Sequence, residues 1–237
     1  RLSVQNEGLL YRLFGVNAEL LIDHAWGWEP CTIADVKRYR PKSRSLGAGQ
    51  VLASPYPFAK ALIVAQEMAD ALALDLVARG LVARQIVVTI GYDAGNLAAG
   101  YTGETASDHY GRTIPKHAHG TIRLPDYASS SRLFMERLAD FFCTHVDKSL
   151  LVRRISIAAA DLLCQHEYAV KARQNNSLLD LIDGQTAQRD EEKEARQQKV
   201  ILAIQGKYGK NALVRGLNLK DGATALQRNT YIGGHKA

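Results

Sequence analysis

From Gln85 to Ile90 the chain alternates, with Ile86, Val88 and Ile90 on one side and Gln85, Val87 and Thr89 on the other, as a strand with one buried face does. Thr121 to Leu124 alternates likewise. Leu151 to Ala158 separates into two phases, Leu151, Arg153, Ile155 and Ile157 against Val152, Arg154, Ser156 and Ala158. Ser45 to Leu52 reads as a further strand, with Gly47 and Gly49 in one phase, where uncovered backbone lets something approach closely. Helical spacing intervenes twice. Leu62, Ala65, Ala69, Leu72 and Leu76 form one apolar stripe behind Pro57, and Phe134, Leu138, Phe141 and Phe142 form another between Ser131 and Val146. The order strand, helix, strand, strand, helix, strand predicts an α+β fold of the split βαβ kind, a four-stranded sheet with two helices on one face. Such a sheet leaves its other face wet. Thr89, Thr121, Arg123, Arg154 and Ser156 fall on that face, which makes it polar and cationic. The connection from Asp93 to His119 is longer than compact domains usually tolerate without a role.

The flanks read differently. Leu20, Leu21, Ala25 and Trp26 recur at helical spacing between Gly15 and Gly27, a short helical unit ending near Pro30. Val36 to Arg44 holds five basic residues, no acid and Pro41, an exposed basic linker. Beyond Gln165 come a polar stretch, the run Leu178 to Ile182, and a charged helix from about Gln188 that can dock through Ile201, Ile204 and Tyr208. From Lys207 onward six basic residues face one acid, Asp221, in a Gly-rich tail expected to lack a core of its own. The whole chain has 237 residues, 46% hydrophobic and 23% charged, which is a globular composition. No stretch approaches a membrane span or a signal peptide, and Cys31, Cys143 and Cys164 are widely spaced without a C-x-x-C pair. These features predict a soluble protein of a reducing cytoplasm, without a membrane partner. Residue 1 is Arg and the chain opens inside a helical pattern, so a piece of something longer is expected.

Catalytic constellations are sparse. The sequence has no G-x-x-x-x-G-K-[ST], no G-x-S-x-G and no H-E-x-x-H. His109, His117 and His119 cluster in the long connection, but without cysteine partners or helical spacing they read as a solvated loop before they read as a metal site. Asp190, Glu191, Glu192 and Glu194 point to different faces of a helix with Arg189, Lys193 and Arg196 among them and read as solvated helix surface, and Cys143 beside Phe142 reads as a core thiol. Neither a catalytic nor a metal site is assigned. Non-specific nucleic-acid binding needs only cations, bare backbone amides and a suitable shape. The net charge of +6, the basic linker, the glycine strand and the arginines of the open face supply candidates for all three.

Several blocks, in order, carry a resemblance: Phe14-Gly15-Val16-Asn17-Ala18-Glu19 within Leu10 to Gly27, Pro41-Lys42-Ser43-Arg44-Ser45-Leu46-Gly47, Ile90-Gly91-Tyr92-Asp93, Ala118-His119-Gly120-Thr121, Val152-Arg153-Arg154-Ile155, Lys207-Tyr208-Gly209-Lys210-Asn211-Ala212 and the closing Ile232-Gly233-Gly234-His235-Lys236-Ala237. Across nearly its whole length the chain resembles the C-terminal half of bacterial Y-family (UmuC/DinB-type) translesion DNA polymerases, enzymes of DNA repair and the SOS response. The resemblance implies four parts: residues 1–34 as the helical end of a thumb, 35–45 as the basic linker, 46–168 as the little-finger DNA-binding domain, and 169–237 as a C-terminal helix and basic tail. It also implies DNA contacts. Gly15 and Asn17 would hold a phosphate through a helix-hairpin-helix, and Lys42, Ser43, Arg44, Ser45, Gly47, Arg153 and Arg154 would meet phosphates along the first and last strands. Arg123 joins them from the strand phase. Leu179, Asp180, Leu181 and Ile182 occupy the place of a sliding-clamp-binding peptide, with Leu178 where the family has glutamine. The palm carboxylates that hold magnesium have no counterpart in these residues, so no cofactor and no activity by itself are expected of this chain; magnesium belongs to the full-length polymerase. The rival expectation is a protein-interaction module that recruits the clamp or repair partners.

Overall fold

Gly15 turns the chain. At φ 56° it ends helix α1 (Glu7–Phe14), and α2 (Asn17–Ala25) begins two residues later. A third helix, α3 (Ile33–Arg38), starts at Thr32, whose side chain accepts from Asp35 N–H while the Asp35 carboxylate accepts from Thr32 N–H. This reciprocal cap carries helix into the stretch whose charge and proline read as linker. In this computed structural model residues 6–39, 45–108, 111–175, 185–232 and 235–236 are described, and the chain divides into two compact units, Arg1–Ser43 and Arg44–Ala237. In the first unit, among the described residues, only Leu10 and Ala18 are buried apolar side chains, whereas Leu13, Val16, Leu20, Trp26, Trp28 and Ile33 are exposed.

The second unit is built on a four-stranded sheet. Its main elements run β1 (Leu46–Tyr56), α4 (Phe58–Ala78), β2 (Leu81–Tyr92), α5 (Gly95–Ala98), the small hairpin β3 (Thr105–Ser107) and β4 (Thr113–Pro115), then β5 (Ala118–Ala128), α6 (Ser131–His145) and β6 (Val152–Cys164). The spatial order is β1-β6-β2-β5 and every neighbouring pair is antiparallel. Each helical crossover therefore joins two parallel strands and skips the strand between them. The βαββαβ order and the four-stranded α+β architecture are as the alternation predicts. The strands are longer than their alternating stretches, because Ala158-Ala159-Ala160 and Pro125 break the pattern without ending the ladder.

Both stripes bury. Val64, Ala65, Met68, Leu72 and Leu76 of α4 and Phe134, Leu138 and Phe142 of α6 form one core with Ile86, Val88, Ile90, Val152, Ile155 and Ile157 of the sheet. Alanines at 61, 65, 69 and 73 keep the inner side of α4 thin, so the helix sits close to its neighbours. Gly120 is required here, since a methyl at its Cα would stand 2.7 Å from Cε2 of Phe141. One predicted phase is corrected. Val152, not Leu151 or Arg153, joins Ile155 and Ile157 in the core, because Gly91 lies opposite Arg154 while Tyr92 lies opposite Val152, and Arg153 is the extra residue of a bulge. Cys143 is also corrected: one position beyond buried Phe142 on the helix, it faces out and is exposed.

The C-terminal region continues with α7 (Gln165–Asn175), α8 (Gln185–Tyr208), two short 3-10 turns at Lys210–Ala212 and Gly216–Leu219, α9 (Ala225–Arg228) and a minimal hairpin, β7 (Tyr231–Ile232) with β8 (His235–Lys236). The tail expected to lack a core uses the outer side of α4 instead. Glu67 of α4 is buried, and its carboxylate accepts from Asn218 Nδ2 at 2.8 Å, Thr224 N at 2.8 Å and Ala225 N at 3.1 Å. Arg215 donates to Asp70 at 2.8 Å and Arg228 to Gln50 at 2.9 Å. Two of the tail's cations are thus occupied within the fold. Gln198 of α8 is buried against Ser129 and Ser131, Ile201 and Ile204 are half-buried, and Tyr208, expected to dock, is exposed. Glu194 is no mere solvated acid: it accepts from Ser130 Oγ and from Arg132 N–H at the start of α6, where a helix N-terminus favours a carboxylate.

Candidate nucleic-acid interface

The sheet register lays out the face that α4 and α6 leave uncovered. One row across the strands is Val51, Arg154 and Gly91; the next is Gly49, Ser156, Thr89 and His119; the next is Gly47, Ala158, Val87 and Thr121; a fourth is Ala160, Gln85 and Arg123. Arg123, Arg154, Thr121, His119, Gly47 and Gly49 are exposed. The alternation places Thr89, Thr121, Arg123, Arg154 and Ser156 on this side, and that is where they stand. The surface is low as well as polar, because three glycines lie beside the side chains of β6. A Cβ at Gly47 would approach that of Ala158 to 3.3 Å, one at Gly49 would approach Ser156 Oγ to 3.2 Å, and one at Gly91 would approach Cβ of Arg154 to 3.3 Å. Flat, small-side-chain terrain with cations standing above it suits a polyanion whose oxygens must come near the backbone.

The two neighbouring arginines part company. Arg154 rises from the open face between Val51 and Gly91, whereas the bulge turns Arg153 to the rim, where Nη1 donates to Ala53 O at 3.0 Å and Nε lies 4.0 Å from Asp93 Oδ2. Arg153 therefore ties the ends of β1 and β6 to the start of the long connection. Asn96 completes that anchor: Nδ2 donates to Asp93 O and Leu151 O, and Oδ1 accepts from Leu151 N–H. Asn96 is buried, so these bonds are made away from competing water.

Ser45 is exposed just before β1. Gly15 and Asn17 are exposed in the first unit, where the N–H groups of Val16 and Asn17 have no backbone acceptor among the described residues. Lys42, Ser43, Arg44 and the stretch Leu179, Asp180, Leu181 and Ile182 lie outside the described residues, as does His109. His117 and His119 are perpendicular, with ring centroids 6.2 Å apart. Among the described residues no three histidine, cysteine or acidic side chains gather closely enough to hold a metal ion.

Sequence reading left Arg84 unnamed and took His119 for a loop histidine rather than part of the sheet face. Arg84 is exposed with its guanidinium 5.7 Å from the centroid of the Tyr127 ring, just before the point where regular alternation begins. His119 stands in the second row, hydrogen-bonded through Nδ1 to Thr89 Oγ1 at 2.8 Å; its one-residue offset from buried Ala118 was the available signal. Near Arg84, Tyr127 donates to Asp161 at 3.1 Å and Tyr168 donates to Asp126 at 2.7 Å. Burial first, and then the Asp126 hydrogen bond, push the Tyr168 phenol up to about 12.

The fold and this face define an α+β protein with a one-sided four-stranded antiparallel sheet and a small, polar, cation-bearing surface. No protein-family model matches the chain and no curated protein matches it. No helix among the described residues is long and apolar enough to cross a membrane.

Proposed function

We propose that the chain grips duplex DNA through its backbone phosphates, as the DNA-holding portion of a Y-family translesion polymerase in damage tolerance, with the second unit in the role of the little finger. The observation that carries the reading is the uncovered sheet face, on which Arg123 and Arg154 stand exposed on the side away from both helices. The order of family-like blocks in the sequence supports it from an independent direction. Phosphate contacts carry no base information, so a grip of this kind tolerates distorted or damaged template. Magnesium and the nucleotidyl transfer itself belong to palm residues that this chain does not contain, and this part contributes affinity and placement.

The test is a salt titration of a fluorescent primer-template duplex. With about four to six phosphates neutralised, log affinity falls against log salt with a slope of roughly −4 to −5, at about 0.9 per contact. Replacing Arg123 and Arg154 together with alanine lowers the slope by about 2 and weakens all duplex sequences alike. A flat salt response, or a loss confined to one sequence, rejects the proposal. One observation favours the second reading, a protein-recruiting module: Val16, Ile33, Trp26 and Trp28 of the first unit are each more than half exposed. Titration with purified sliding clamp, with Leu179 and Leu181 intact or replaced, separates the two.

A further inference from the structure

We propose that His119 is a proton-dependent phosphate contact on the open sheet face, which makes the DNA grip tighter and more salt-sensitive as pH falls. The inference rests on the DNA-binding reading above and adds to it a residue and a mode of regulation.

The argument is positional. His119 closes the row Gly49, Ser156, Thr89 and His119, which spans all four strands of the sheet, and its ring is exposed. Thr89 Oγ1, 2.8 Å from Nδ1, holds the ring and can serve either protonation state, since a hydroxyl both donates and accepts. When the neutral ring accepts from Thr89 at Nδ1, its single proton sits on Nε2. When the ring gains a second proton, Thr89 turns to accept and Nε2 keeps its N–H. Nε2 has no other hydrogen-bond partner among the described residues. In that tautomer Nε2 offers a donor in both protonation states, and the protonated ring adds a full charge.

The surroundings favour an anion. Along β5, Arg123 lies four residues on, about 14 Å away at roughly 3.4 Å per residue. Arg154 belongs to the adjoining row of β6, two strands across. His117 is perpendicular to the ring at 6.2 Å. Lys116, at the base of the β3–β4 hairpin, is neutralised by Glu104 at 2.6 Å. From β2 the ring meets Thr89, which carries no charge, and Phe141 and His145 of α6 stack on one another at the opposite face of the sheet. A phosphate bridging toward Arg154 or Arg123 thus finds a second cation whenever the imidazole is protonated, and histidine is the side chain that changes charge between pH 5 and 8.

The experiment compares salt titrations of the duplex at pH 5.5 and pH 8.5 for the intact chain, His119→Gln, His119→Lys and the control His117→Gln. The intact chain gains about 0.9 in slope at pH 5.5, which is up to about eightfold in affinity at 0.1 M salt. His119→Gln loses that gain while still binding, His119→Lys holds the steeper slope at both pH values, and His117→Gln behaves as the intact chain. An unchanged gain in His119→Gln, or strong duplex binding that ignores pH in the intact chain, overturns the assignment of His119 and leaves the DNA reading standing. Absence of duplex binding at both pH values in every variant overturns the DNA reading itself, and this inference with it.

Discussion

Tyr168 illustrates how one side chain couples chemistry to stability. Its phenol is half-buried beside Asp126 and responds to Glu191 as well, so ionisation there is opposed and the folded pKa rises from 10.0 to about 12. A group whose proton is held more tightly when folded contributes stability that is fully present below the unfolded pKa. It is lost as pH climbs from about 10 through 12. Alkaline unfolding followed by circular dichroism is expected to show that extra loss in the intact chain and to lack it in Tyr168→Phe, and the ultraviolet phenolate titration loses its latest component. Equal alkaline profiles for the two proteins contradict the assignment. At the same scale the candidate interface was only partly legible. Strand phase revealed Arg123 and Arg154, because alternation needs no knowledge of partners. It missed Arg84, because a register shift between Ala83 and Gln85 interrupts the period there, and it missed His119, which was weighed as a loop histidine and metal ligand although its ladder is regular.

Among the elements, α4 behaves least like a surface helix. One side of it meets the sheet and α6, and the other receives the C-terminal segment, so apolar and buried residues run around most of it. A helix of that kind is expected inside a layered structure, yet only its inner stripe had an evident destination in the sequence. Charge hid the other. Arg215 and Arg228 read as cations of a basic tail without a core, whereas Asp70 holds the first and Gln50 the second, and burial lowers the pKa of Arg228 against the opposing pull of Glu67. The segment is thereby fastened at several points, with the buried carboxylate of Glu67 accepting from Asn218, Thr224 and Ala225 at the centre. Glu67→Gln sets an amide N–H₂ against donors it cannot pair, and destabilisation of about 1–3 kcal/mol is expected in urea unfolding. Proteolytic cuts should then appear between residues 209 and 229. Unchanged stability and unchanged cleavage contradict a latch at Glu67. Local pattern predicts elements well here, but long-range polar pairs such as Glu67 with Thr224 leave no periodic trace.

On the scale of the whole molecule, the two units differ in self-sufficiency. Residues 44–237 contain the continuous core, and residues 1–43 bury little apolar surface among their described residues. Chains of that length rarely fold without help. A peptide of residues 1–43 is expected to show weak, non-cooperative helicity, and residues 45–237 to unfold in one cooperative transition with their salt-dependent duplex binding retained. Cooperative melting of the short peptide contradicts this division. The strand order sets a further condition. Leu46 at the start of the sheet lies opposite Ala159 at its end, and the last strand to be synthesised sits between the first and the second. Closing so long a loop is slow compared with forming either helix. During translation the glycine-lined first strand has no sheet neighbour until β6 has left the ribosome, so the β1–β6 half of the open face forms last, whereas β2 and β5 pair directly and can set out Thr89, His119, Thr121 and Arg123 before it.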